Sequence, residues 1–204
     1  MKKVFSVLVI AVAAVASQAV TFTNFVYSGG QLGSGITSTV FGTGVTFTTP
    51  NAKVGDTVIV SGNPYRSGNF SIQYDAESTA SMTADNVSIN LGGGLSGSGT
   101  IAFKEQIFKL DSLGNEVAFL GEVEHVFTGG GPINWSNVIS WSDTSVTRIR
   151  AKKTFEMFAP DTAALDFAVV GFVNQSLQVV PEPGPFIAMG LGLVGLVARR
   201  RRSK

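Results

Sequence analysis

The chain has 204 residues, 44% of them hydrophobic and 14% charged, with no cysteine and a formal charge of +1. That length suits one domain with a sizeable core, and the missing cysteine excludes disulfides, thiolate catalysis and cysteine-ligated metal sites. Seven cations sit at the two ends, while residues 20–180 hold eight Lys/Arg against thirteen Asp/Glu, a net of −5 that repels phosphate backbones and argues against a nucleic-acid partner.

The first 19 residues, MKKVFSVLVIAVAAVASQA, combine two lysines, an apolar run from Val4 to Ala16, and small residues at Ser17 and Ala19. This is the three-part layout of a secretory signal peptide, with cleavage expected after Ala19. The predicted organisation is a signal peptide over 1–19, an extracytoplasmic domain over 20–180 and a separate tail over 181–204.

From residue 20 to 180 Gly, Ser, Thr and Asn recur, apolar runs are short, and helical periodicity is absent. The pattern predicts an all-β fold, a single β-sandwich or jelly-roll-like domain, flanked by the N-terminal signal helix and a short C-terminal transmembrane helix. Strands are expected at 21–27, 44–49, 56–62, 69–75 and 78–90. The glycine-rich LGGGLSGSG at 91–99 reads as flexible, and no Lys-Ser or Lys-Thr follows it to make a phosphate-binding loop.

IAFKEQIFKL and EVAFLGEVEHVF flank DSLGN, whose Asp111, Gly114 and Asn115 suit a hairpin. In TRIRAKKTFEM, Thr147, Ile149, Ala151, Lys153, Phe155 and Met157 share one face, and Arg148, Arg150, Lys152, Thr154 and Glu156 share the other. A strand with one face on a core and one in water has this alternation. LDFAVVGFVNQSLQVV, 165–180, reads as a final strand with Phe167, Val169, Val173, Leu177 and Val179 on one side.

Chemistry is thinly signalled. His125 is the only histidine, it shares parity with Val123 and Phe127, and no Gly-x-Ser-x-Gly elbow nominates a serine to work with it. Asp75 with Glu77, Glu122 with Glu124, and Asp161 with Asp166 meet the spacing of a glycosidase pair, as do many surface carboxylates. Asp111 and Asp143 offer oxygen to calcium, without the ordered Asp repeat such loops use. No catalytic residue, metal site or cofactor is therefore expected. Trp135 and Trp141, in GGGPINWSNVISWSD, leave two readings open: a platform on which sugar rings stack, or packing at the rim of the sandwich.

The tail reads VPEPGPFIAMGLGLVGLVARRRRSK. Its apolar run, Phe186 to Ala198, would rise about 20 Å as a helix against a hydrocarbon thickness of roughly 30 Å. Pro181, Pro183 and Pro185 prevent an upstream extension, and Arg199, Arg200, Arg201 and Arg202 form a membrane stop that stays on the cytoplasmic side. A Pro-Glu-Pro, then a short apolar run with Gly190, Gly192 and Gly195, then an arginine cluster, resembles a PEP-CTERM sorting signal. The resemblance implies that an exosortase, a membrane-embedded processing enzyme of Gram-negative bacteria, recognises Pro181, Glu182 and Pro183 and removes the tail. It further implies a protein held transiently in the inner membrane and then released to the cell surface or an exopolysaccharide matrix. An ordinary single-span anchor that is never cut is the alternative.

Overall fold

A computed structural model describes residues 20–56, 65–161 and 165–180, with side chains described throughout them except at 88–93. The signal peptide with Ala19, the tail with Pro181, Glu182, Pro183 and Arg199 to Arg202, and both expected flanking helices lie outside the described residues. So does most of the strand expected at 56–62. Among the described residues no helix is long and apolar enough to cross a membrane.

Twelve strands are described: β1 (Val20–Ser28), β2 (Thr37–Phe41), β3 (Gly44–Thr48), β4 (Lys53–Gly55), β5 (Ser67–Ser78), β6 (Met82–Ser96), β7 (Thr100–Leu110), β8 (Glu116–Phe127), β9 (Gly131–Ser140), β10 (Arg148–Phe158), β11 (Phe167–Val169) and β12 (Phe172–Val179). They form two antiparallel sheets, the first in the order β1-β5-β10-β7-β8 and the second in the order β2-β3-β12-β6-β11-β4, with β9 also paired to β6. The all-β expectation holds, and the architecture is a sandwich. From β5 to β11 the chain passes repeatedly between sheets, so most neighbours within a sheet are distant in sequence.

Alternation builds the core. On β10, Ile149, Ala151, Lys153, Phe155 and Met157 are buried, while Thr154, Glu156 and Phe158 are exposed. Phe155 stacks on Phe70 of β5 at 4.5 Å, and Phe103 of β7 leans on it at 4.9 Å. Across the sandwich, Phe47 of β3 meets Tyr74 of β5 at 5.6 Å. Burying a side chain of this size contributes about 1.5–3 kcal/mol relative to leaving it in water.

Turn chemistry fixes the β7–β8 hairpin as expected. The Asp111 carboxylate accepts from the backbone of Leu113 and Asn115, both at 2.8 Å, and Gly114 takes φ +88°. In β1, Asn24 adopts φ +52° where the register with β5 slips, and this turns its amide onto Asp75 at 2.8 Å.

Two expectations need correcting. The glycine run is not a free loop, since β6 continues to Ser96 and only the turn at 97–99 separates it from β7. The final segment is two strands. β11 pairs with β4 and the far end of β6, β12 pairs with β3 and the near part of β6, and the side-chain alternation changes between them. Ala168 and Val170 are buried before the break and Val173 and Leu177 after it, so Phe167 and Val169 do not share the core face with Val173.

Candidate functional site

Where the two sheets meet along one side, the edge strands β8 and β9 come together. Gly121 of β8 lies so close to Ile139 of β9 that a Cβ there would stand 2.7 Å from Ile139 Cγ2 and would force that side chain to move. Further along, exposed His125 stacks on half-buried Trp135 at 5.0 Å and 21°. Phe127 packs against both rings edgewise, at 4.6 and 5.8 Å, and Phe103 meets Trp135 from beneath at 5.7 Å. A cleft of about 350 Å³ opens beside them, bordered by Thr128, Ile133 and Asn134. His125 is thus part of an aromatic ledge.

Trp141 stands elsewhere. Its indole Nε1 donates to the Met82 carbonyl at 2.6 Å and its backbone N–H to Thr83 at 3.1 Å, whereas Trp135 pairs with Ile89 on β6. Six residues along that strand separate the two tryptophans by roughly 20 Å. Trp135 presents part of its ring at a cleft, and Trp141 anchors the exit of β9.

A second, larger groove of about 590 Å³ lies on the outer face of the second sheet. Asn86 of β6, Asn174 and Ser176 of β12, and Ser136 of β9 floor it, with Phe41 of β2 exposed at its border. Asn86 donates to the Ser176 carbonyl at 3.2 Å, and Asn174 accepts from Thr46 at 2.8 Å. Sequence reasoning missed this face, because single asparagines scattered over 90 residues converge only through strand pairing. Their position one residue from the buried Val87 and Gln175, on the opposite face of each strand, was the one available signal.

The carboxylate pairs are engaged elsewhere. Asp75 accepts two bonds from Arg150, at 2.7 and 2.8 Å, and one from Asn24. Burial pushes its carboxyl up, but the guanidinium and the amide outweigh that and hold it below the usual carboxylate range. Glu77 pairs with Arg148 at 3.4 Å, and Glu122 and Glu124 share Lys104 at 3.1 and 2.6 Å. Asp166 accepts from Ser98 and from the Asp161 backbone, tying down the loop before β11. Asp143 binds Lys109 at 2.7 Å, and Asp111 closes its turn. Among the described residues no group of three or more His, Asp or Glu side chains converges as metal ligands do.

No curated relative matches the sequence. Similar solved structures include TmCBM61 in complex with β-1,4-galactotriose, 15% identical over 76% of this chain and 88% of that one, with a TM-score of 0.36. The enzymatically active domain of Bacteriophage CBA120 tailspike protein 4 is 12% identical over 81% of this chain and 20% of that one, with a TM-score of 0.30. A structure described as CBM4 is 9% identical over 76% and 86%, with a TM-score of 0.29. Scores and identities this low assign no function. The informative match lies immediately after the sandwich, where β12 ends at Val179: residues 179–202 match the family model for the PEP-CTERM protein-sorting motif, and the protein therefore carries that sorting motif.

Proposed function

We propose that this is a secreted surface or extracellular-matrix protein, a non-catalytic β-sandwich exported across the inner membrane and sorted by an exosortase acting at Pro181, Glu182 and Pro183. The observation that carries the reading is the sorting motif beginning at the last residue of β12. In sequence the Pro-Glu-Pro follows the end of β12 after a single residue, and proline-flanked segments favour the extended, unpaired backbone that a processing enzyme recognises. In this reading the short apolar run and the block from Arg199 to Arg202 hold the protein in the membrane until the cut. Intact mass of the protein from its host's surface or medium tests this. Loss of the leader and of the residues after about Pro183, with the tail retained in Glu182→Ala, is expected. A wild-type mass that retains the arginines overturns it.

The half-exposed Trp135 ring, stacked on His125 beside a cleft, favours a second reading for the domain itself, binding of exopolysaccharide by ring stacking. Trp141, anchored to Met82, would shape the same edge of the sheet without touching the same sugar. Mobility in gels containing neutral polysaccharide checks it: retardation of the wild type, abolished by Trp135→Ala, is expected. Equal mobility of wild type and variant would remove this reading and leave the first intact.

A further inference from the structure

The two outer faces of the sandwich differ in chemistry. On the first sheet, β5, β10, β7 and β8 present ion pairs, among them Arg150–Asp75, Lys152–Glu116 and Lys104–Glu124. On the second sheet, β2, β3, β12 and β9 contain no Asp, Glu, Lys, Arg or His, and the one charged residue of β6, Asp85, is fully buried. This uncharged face holds the groove of about 590 Å³.

Strand register builds the groove. Phe41, Gly44, Ser176, Asn86 and Val138 pair in one row across β2, β3, β12, β6 and β9. At the usual strand spacing that row is about 19 Å long. The row two residues along brings Thr46, Asn174 and Ser136 to the same face. Gly44 makes room for an aromatic ring. A Cβ on it would stand 2.6 Å from Phe41 Cε2 and 2.9 Å from Phe41 Cζ, so the ring rests on the backbone of β3 while 53% of Phe41 stays exposed.

The amides are fixed yet have bonding capacity left. Asn86 donates to the Ser176 carbonyl, and Asn174 accepts from Thr46. An amide side chain has two donor hydrogens and an acceptor oxygen with two lone pairs, so one bond to the sheet leaves each with both a donor and an acceptor.

We propose that the outer face of the second sheet binds a neutral polysaccharide chain laid across its strands, with the Phe41 ring under one sugar and Asn86, Asn174 and Ser136 on its hydroxyls. A sugar ring has an apolar C–H face and hydroxyls that both donate and accept, and the groove offers the matching set of one aromatic face and neutral amides and hydroxyls. A charged chain would lose water here with no opposite charge to replace it. Asn134, at the border of the Trp135 cleft, lies two residues from Ser136 and shares its face of β9. The groove therefore rests on the polysaccharide reading and extends it from one ring at the ledge to a chain.

Electrophoresis of the protein recovered from its host, through gels containing a neutral β-glucan, a neutral galactan or an acidic polyuronate, tests the groove. Retardation by a neutral polymer and not by the polyuronate is expected. The apparent affinity should fall about tenfold in Phe41→Ala, and further in Ser136→Arg, which puts a bulky charge into the groove; both positions are exposed, so neither change disturbs the core. Full retardation of both variants with loss in Trp135→Ala would overturn the groove and leave the ledge. Loss in both variants with full retardation of Trp135→Ala would support the groove and remove the ledge. Retardation by the polyuronate alone, or by none of the three, overturns the proposal. So does a wild-type dimer that Ser136→Arg converts to monomer, since the face would then be an interface between copies.

Discussion

Strand β10 carries cations on both faces, and the two faces treat them oppositely. On the outside, Arg150 grips Asp75 with two short bonds and reaches Glu116 at 3.4 Å, while Lys152 binds Glu116 at 2.7 Å and lies 4.7 Å from the centre of the Phe108 ring. On the inside, one residue further on, Lys153 is fully buried against Glu105, with Asp85 unpaired nearby. The outer cations keep access to water, so Lys152 and the exposed acids have an alternative partner, and only Asp75, itself buried, depends on its bonds. The inner cluster has no such alternative. A charge left unbalanced there has no water to screen it, which makes any imbalance costly.

The largest effect should come from breaking the inner side. Lys153→Ala leaves two buried acids with no cation and should lower stability by about 3–5 kcal/mol in urea unfolding. An unchanged unfolding midpoint would mean that water reaches the cluster. Next is the outer pair, where Arg150→Met removes the bidentate contact to the largely buried Asp75 and should cost about 1–3 kcal/mol.

That second difference should depend on pH, which sharpens the contrast. Asp75 has a lowered carboxyl value in the folded state, so the stability it contributes is complete above the unfolded value of about 4 and is lost as pH falls through the folded one. Measured near pH 7 and again near pH 2, the gap between wild type and Arg150→Met should shrink at the acid end; a constant gap would refute the pairing. The smallest effect belongs to Lys104, whose exposed ammonium bridges Glu122 and Glu124 at the solvent face of β7 and β8. Lys104→Ala should leave the thermal midpoint within the scatter of repeat measurements, at low and high salt alike.

Some of this was legible beforehand. The alternation in TRIRAKKTFEM placed Lys153 on the apolar side and Arg150 on the other, and the DSLGN turn marked the β7–β8 hairpin, because both depend on residues adjacent in sequence. The break at Gly171 was not legible, since LDFAVVGFVNQSLQVV is uniformly apolar enough to pass for one strand and only the change of partner from β4 to β3 divides it. The ledge was half visible. Parity linked His125 with Phe127, but nothing local indicated that β9 would bring Trp135 onto them.

By itself the sequence determined the all-β character, the inward and outward face of β10 and the sorting motif at 179–202, because these depend on period-two alternation and on the order of residues in one short segment. The tertiary structure alone decided which strands lie side by side and what the inner face of β10 meets. Alternation records which side of a strand is dry, and it contains no term for the strand opposite. Glu105 meets Lys153, and Gln175 meets Glu105, from strands whose pairing is set by the packing of two whole sheets.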